Sequence, residues 1–371
     1  MADRDQAIKN VIQSAFGNCG QKCSATSLLI LEKEVYEDEH FKKQLVDASQ
    51  SYQTGSAWQF RTKMGPLVNK PDEDLRRALT TLEPGETWAL KPENLNNNPY
   101  MWTPGIKYDV KPGSYTHMTE FFGPVLAVLK AEDLDHAIKL VNQTGYGLTS
   151  GLESLDKREQ KKWKQEIKAG NLYINRGTTG AIVLRQPFGG MEKSALGAGI
   201  KVGGPNYVSQ FMAFEESAEP PIGAIQDESY LLWLAREWKV ELLWGKHAEW
   251  KTDLQKTVQA IKSYIYNFEQ EFSQEKDYFN LRGQDNILRY LPVRTVLVRL
   301  HEDDSLFDVL GRIAAVKVSG CELLISIPAG LKNSVTTFLS GKEGKRIIGG
   351  TPVMHQSDSE LIQYIPKVQR I

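Results

Sequence analysis

Helical and extended apolar patterns take turns along the first half of the chain, and this alternation most constrains its fold. From Asp3 to Phe16 the apolar residues Ala7, Ile8, Val11, Ile12 and Ala15 recur at i, i+3 and i+4, which predicts a helix with one buried stripe. The unbroken run "SLLILE" then predicts a buried strand, and "EDEHFKKQLVDASQSY" an amphipathic helix turning Phe41, Leu45 and Val46 inward. The pattern continues with a helix over Asp72–Leu82, a strand over Gly123–Leu129, and a helix over Asp133–Asn142 introduced by the acids of "EDLD". A helix over Asp156–Lys168 and the strand "NLYIN" follow. Strands separated by helices bury their apolar faces by layering the helices on a largely parallel sheet, so the expected class is α/β.

With 371 residues, the chain exceeds what one core usually organises, and two domains are expected. The acidic, proline-bearing "EESAEPP" at Glu215–Pro221 follows a short predicted helix over Pro205–Phe214, which sets domains at 1–214 and 215–371. The second opens with "SYLLWLAREWKVELLWGKHAEW", whose Trp233, Trp238, Trp244 and Trp250 read as helix-pair packing, and continues with a helix at "IYNFEQEF". After it come a strand "RTVLVRL", a helix "SLFDVLGRIAAVKVSG", a strand "CELLISI" and a helix "SVTTFLSG", a βαβ unit with the usual right-handed crossover. No GxGxxG follows the first of these strands, so no dinucleotide is assigned there.

Charge excludes some partners. The 45 Lys+Arg residues balance 46 Asp+Glu, and no block of like charge offers a field for nucleic acid. The opening "MADRDQAIKN" has no basic-then-apolar layout, and no apolar run approaches the roughly 20 residues that span a bilayer. A cytoplasmic location is expected. The three cysteines, Cys19, Cys23 and Cys321, are too few and uneven for a disulfide framework.

Three segments carry possible chemistry. In "FGNCGQKCSA" a glycine-flanked turn between helix and strand can direct backbone N–H groups at Cys23, as a nucleophilic thiolate needs; a cysteine there also serves as a small packing residue. A metal pair of Cys19 and Cys23 lacks further ligands at useful spacing. In "TEFFGPVLAVLK", Glu120 sits in a loop beside a sheet edge, where a carboxylate either grips the hydroxyls of a ribose or is simply solvated. The glycine-rich run from Gly177 to Gly204 offers either an anion nest for a carboxylate or phosphate, or plain connection.

Taken in order, "FGNCGQKCSA", "TEFFGPV", "TGYGLTSG" and "NLYINRGTTGAIVLRQPFGG" resemble the catalytic domain of the aldehyde dehydrogenase superfamily over about Asp3–Phe214. "RQPFGGMEKSALGAGIKVGGPNY" is similar to the glutamate-γ-semialdehyde (Δ1-pyrroline-5-carboxylate) dehydrogenase branch, as carried by bifunctional proline-utilisation (PutA) flavoenzymes. The resemblance implies a Rossmann-like three-layer catalytic domain followed by a second Rossmann-like α/β domain with a structural role. It implies oxidation of L-glutamate γ-semialdehyde to L-glutamate, with Cys23 as nucleophile and its N–H as an oxyanion donor. Glu120 and Phe122 match the residues at the nicotinamide ribose of NAD. Ser24 and the loop containing Leu196, Gly197, Ala198, Gly199 and Gly203 match the anchor for the substrate carboxylate, and Phe188 an aromatic enclosing the aldehyde.

The same resemblance places the dinucleotide-binding domain and the general-base glutamate ahead of the cysteine segment, where this chain has 22 residues before Cys23. It implies NAD in the parent enzyme, FAD only in an absent proline dehydrogenase domain, and no tightly bound cofactor here. No metal is expected. The expected partners are the aldehyde substrate, the N-terminal portion of the enzyme, and further copies of the chain. Hydride transfer by this chain alone is not expected. Two alternatives stand: a non-catalytic remnant acting in binding or assembly, and a cofactor-free thiol esterase. Cys19, four residues from Cys23, could also form a disulfide with it on oxidation.

Overall fold

The computed structural model describes residues 2–182, 185–196, 200–215 and 248–371. Gly197, Ala198 and Gly199, the acidic link after Glu215 and the helices expected around Trp233, Trp238 and Trp244 lie outside the described residues. The chain divides into two compact units, 1–212 and 213–371.

In the first unit, aspartates start the helices. Asp3 accepts from the Gln6 N–H to open α1 (Arg4–Phe16), and after the single turn α2 (Lys33–Tyr36), Asp38 opens α3 (Glu39–Gln50). Asp72 opens α4 (Glu73–Thr80), and Ser114 opens the short α5 (Tyr115–Met118). Asp133 caps α6 (Leu134–Gln143), and Asp156 caps α7 (Lys157–Glu166). Each side-chain oxygen satisfies a backbone N–H that the first helical turn leaves free.

Strand β1 (Leu28–Glu32) pairs in parallel with β4 (Val125–Ala131), β4 with β3 (Gly105–Tyr108), and β3 antiparallel with β2 (Thr87–Leu90), giving the order β1-β4-β3-β2. A separate parallel pair joins β6 (Thr149–Leu152) to β7 (Asn171–Ile174), and a small antiparallel pair joins β5 (Tyr146–Gly147) to β8 (Met191–Glu192). On one face of the main sheet Ile8, Ile12 and Phe16 of α1 pack with Phe41, Leu45, Leu126 and Val128. On the other, Leu140 of α6 packs with Ala127 and Leu129. Strand β3 buries Lys107, which donates to the Thr81 carbonyl at 2.8 Å and to Glu86 at 3.2 Å; both charged side chains are 1% exposed.

Most expected elements are present within a few residues of their expected ends. The helix expected over Pro205–Phe214 is instead a single 3-10 turn at Val208–Phe211, because Val208, Phe211, Met212 and Phe214 are exposed and no core fixes a helical face. The strand expected from Gly123 begins at Val125, after the Gly123–Pro124 turn.

In the second unit a short antiparallel pair, β9 (Lys276–Asp277) and β10 (Ile287–Leu288), is followed by β11 (Thr295–Arg299), β12 (Glu322–Pro328) and β13 (Val353–Gln356), which form a parallel sheet in chain order. The helix at Leu306–Val318 links β11 to β12, and Ser334–Ser340 and Lys342–Ile348 link β12 to β13. The long helix Lys251–Asn267 contributes Leu254, Ile261 and Ile265 to the core formed by Val298, Val309, Ile313 and Ile325. The expected βαβ unit is thus built from parallel strands.

Candidate active site

Helix α1 ends in a left-handed turn whose last position has room only for glycine. Asn18, Cys19 and Gly20 have φ of 55°, 58° and 68°, a left-handed run that swings the chain from α1 towards β1. A Cβ on Gly20 would lie 2.3 Å from the Gly123 carbonyl oxygen and 3.0 Å from that of Ala15. One on Gly123 would lie 2.3 Å from Leu75 Cδ1. The cysteine-bearing turn therefore stacks directly on the "EFFGP" turn, backbone against backbone.

That contact brings the sequence candidates together. Cys23 is exposed, and it lines a cavity of about 1010 Å³ that Glu120 and Phe122 also line. Phe122, 43% exposed, is held at φ 55°, an unfavourable conformation for an aromatic residue that the turn imposes. Cys19, by contrast, is a core residue, 1% exposed, with burial pushing its thiol up to about 12. All three cysteines are free.

Thr178, in the "GTTG" stretch after β7, clamps the cysteine turn. Its hydroxyl donates to the Ser24 carbonyl at 2.9 Å and lies 3.0 Å from the Thr26 hydroxyl, while its N–H donates to Ser14 of α1 at 3.0 Å. Sequence reading singled out this stretch for its glycines and missed the threonine. Arg176 and Lys193 add positive charge to the cavity wall. The Arg176 guanidinium lies 5.2 Å from the centroid of the Tyr173 ring, whose buried hydroxyl has no hydrogen-bond partner among the described residues. Burial raises the pKa of that phenol; Arg176 opposes the shift and the Cys23 sulfur adds to it.

The other expected substrate residues do not line this cavity. Ser24 is buried and does not line the cavity; nor do Phe188, Leu196 and Gly203. Phe188 bridges to Val202 through reciprocal backbone hydrogen bonds of 3.0 and 2.9 Å, Leu196 is fully exposed, and Gly203 has φ 73°. Lys201 ties this loop down by donating to the carbonyls of Gly170 and Gly189, and burial lowers its pKa to about 8. Several glycines here serve close packing: a Cβ on Gly170 would fall 1.9 Å from the Gly189 carbonyl oxygen.

A nucleophile-type cysteine on a glycine turn, lining one cavity of an α/β unit together with a loop glutamate and a strained phenylalanine, matches a known pattern. The profile of the aldehyde dehydrogenase family matches residues 1–216, and the chain belongs to that family. It is 35% identical over 221 residues to the 1-pyrroline-5-carboxylate dehydrogenase of Geobacillus sp. (strain WCH70), covering 59% of this chain and 42% of that protein. With that of Bacillus cytotoxicus it shares 36% over 220 residues, again 59% and 42% of the two chains. Among solved structures, proline utilization A (PutA) from Corynebacterium freiburgense aligns with a TM-score of 0.76 at 37% identity, covering 96% of this chain and 35% of that one. A 1-pyrroline-5-carboxylate dehydrogenase from Thermus with bound NAD aligns with a TM-score of 0.52 at 35% identity, covering 57% and 40%. The chain thus spans less than half the length of these curated relatives, while the PutA similarity reaches into both of its units.

Proposed function

We propose that this chain carries the thiol-bearing half of an enzyme that oxidises L-glutamate γ-semialdehyde to L-glutamate with NAD, in proline breakdown in the cytoplasm. The observation that carries the reading is that Cys23, Glu120 and Phe122 line one cavity, with the turns that bear them in backbone contact at Gly20 and Gly123.

In this reading the Cys23 sulfur adds to the aldehyde carbon, and its own N–H donates to the oxygen that becomes negative. Oxidation of the resulting thiohemiacetal leaves a thioester on Cys23, and water hydrolyses it, releasing the acid and the thiol. Glu120 and Phe122 fit the nicotinamide end of NAD: an exposed carboxylate suits ribose hydroxyls, and a half-exposed ring beside it suits a flat face. Bound NAD supplies the two-electron acceptor. Ser24 and the loop Leu196, Gly197, Ala198, Gly199 and Gly203 seat the substrate's carboxylate end, Phe188 encloses the aldehyde, and Thr178 holds the Cys23 turn in register. The chain by itself holds no cofactor tightly and does not transfer hydride; the remainder of the enzyme supplies the cofactor domain and the base, and the second unit has a structural role.

The test is to combine this chain with the remaining portion of the enzyme and follow NADH formation from the semialdehyde. Activity that depends on Cys23 and disappears in Cys23→Ala is the expected result. Both portions folded, associated and inactive would refute the reading in favour of a binding or assembly role. Turnover of a p-nitrophenyl ester by this chain alone, lost in Cys23→Ala, would instead favour a thiol esterase.

A further inference from the structure

Three cations line the cavity that Cys23 borders, and the fold treats them differently. Arg4 pairs with Asp38, and Arg176 lies against the Tyr173 ring. Lys193 has a place built for it. Its N–H donates to the Gly145 carbonyl at 3.0 Å, and its ammonium donates to the Thr144 carbonyl at 2.9 Å, 5.0 Å from the centroid of the Tyr146 ring. Thr144 caps the C-terminal end of α6, where positive charge is favoured. The lysine stem crosses Gly145, whose φ is 72°; a Cβ there would lie 2.9 Å from Lys193 Cε and 3.3 Å from its Nζ. An ammonium carries three N–H groups, and among the described residues only Thr144 accepts from this one, so two remain for a ligand.

A clamp at the start of β7 fixes the corner that carries Lys193. The reciprocal backbone bonds between Phe188 and Val202 bring Gly189 and Lys201 side by side. The Lys201 ammonium donates to the carbonyls of Gly170 and Gly189 and lies 3.3 Å from Asn171 Oδ1. The Asn171 amide in turn accepts from the Gly189 N–H at 3.1 Å and donates to the Pro187 carbonyl at 3.0 Å. All of these acceptors are neutral, so the half-buried Lys201 charge has no counter-ion among the described residues. Gly189 leads into Gly190, where a Cβ would lie 2.3 Å from the Ser194 carbonyl oxygen, so the Lys193–Ser194 corner rests directly on the clamped glycines. On its other side the Ser194 hydroxyl accepts from the Gly147 N–H at 3.1 Å.

Lys193 and Ser194 line the same cavity as Cys23, which Ser24, Phe188, Leu196 and Gly203 do not. We propose that Lys193 is a specificity-determining residue that recognises the substrate's carboxylate, and that Asn171 and Lys201 are positioning residues that fix the corner bearing it. A carboxylate accepts the two N–H groups that Thr144 leaves over, in hydrogen bonds that charge on both partners strengthens. Lys201, held by neutral oxygens beside the clamped glycines, adds attraction for an anion, as does Arg176 on the cavity wall. A neutral aldehyde gains nothing from such a corner, so the arrangement selects aldehydes that carry an acid group. Restricting the lysine stem over Gly145 lowers the ordering cost of that contact. The inference rests on the proposed function and adds to it the residue that distinguishes its substrate.

The test is calorimetric binding to the assembled enzyme, this chain combined with the remaining portion, with L-glutamate and 4-aminobutanoate as probes, since the two differ only in one carboxylate. Lys193→Met is expected to lower the ratio of their affinities by about 10–100-fold, as loss of a hydrogen bond between charged groups does, and Lys193→Arg to keep most of it. In turnover of the semialdehyde the loss is expected in KM, with kcat changed by less than about 3-fold. Lys201→Met is expected to lower the same ratio and to speed amide exchange at Phe188 and Val202 by about 10-fold; if it does not fold, Asn171→Asp, which keeps the side-chain shape and removes the donor to Pro187, takes its place. No preference for L-glutamate in the unsubstituted enzyme, an unchanged ratio in Lys193→Met, an equal loss in Lys193→Arg, or a loss found instead in Arg176→Met would each overturn the assignment of Lys193. Unaltered exchange and ratio in the clamp variants would overturn the positioning role. Because binding needs no turnover, a Lys193-dependent preference without semialdehyde oxidation would count against the proposed reaction and leave the carboxylate seat standing.

Discussion

The contact that assembles the candidate site predicts a sharp difference between two neighbouring glycines. Gly20→Ala places a methyl 2.3 Å from the Gly123 carbonyl oxygen and 2.6 Å from its carbon, about 1 Å inside ordinary contact, and both atoms are backbone that cannot rotate away. The substitution also puts a side chain at φ 68°, which costs roughly 1 kcal/mol before any clash. Overpacking of this kind adds about 1–3 kcal/mol, for a total near 3 kcal/mol. In a unit of this size each kcal/mol moves Tm by about 2–4 °C, so the first transition falls by roughly 6–12 °C. Gly17→Ala is the control: φ is −56°, the nearest atom is the Tyr52 hydroxyl at 3.8 Å, and the effect is neutral or stabilising by under about 1 kcal/mol. Thermal unfolding by circular dichroism, with the rate of Cys23 alkylation by iodoacetamide, reads both consequences. Gly20→Ala melting within about 2 °C of Gly17→Ala and alkylating at the same rate would refute the stacked-turn account.

Further outcomes follow from buried groups. At pH 8 iodoacetamide is expected to modify Cys23 and spare Cys19 until denaturant is added, as read by peptide mass spectrometry, because Cys19 is 1% exposed and stays protonated. Since the folded Cys19 pKa of about 12 exceeds its ordinary value of 9.0, its contribution is complete below pH 9 and lost as pH rises towards 12; Cys19→Ala is expected to flatten that alkaline decline in urea titrations. Lys107→Met is expected to destabilise by about 3–5 kcal/mol by leaving Glu86 buried and unpaired, and Lys107→Met with Glu86→Leu to recover most of the loss in urea unfolding.

Helices were legible where aspartate and an apolar stripe coincide, as at Asp3, Asp72 and Asp133, since capping and periodicity are both local. Strands β2 and β3 were not. Buried Lys107 hides the apolar run of "GIKY", and its partners Thr81 and Glu86 come from distant sequence. The candidate residues Cys23, Glu120 and Phe122 were named from motifs, but their meeting depends on Gly20 lying against Gly123, a backbone approach that no periodicity reports. Thr178 escaped notice for the same reason: its hydrogen bonds to Ser24 and Thr26 cross most of the unit.

Where the local reading and the structure disagree, the disagreement is itself informative. "SLLILE" predicts a strand buried on all sides, and the fold supplies the two covering helices and one neighbouring strand but leaves the other edge to a cavity. Propensity errors cannot account for this, since β1 forms where expected and pairs in full register with β4. Among the described residues β1 has no second strand partner, and Leu28, Leu29 and Ile30 are only half-buried, whereas Leu31, packed in the main core, is 8% exposed. An apolar edge of this kind is an invitation to pair with another edge.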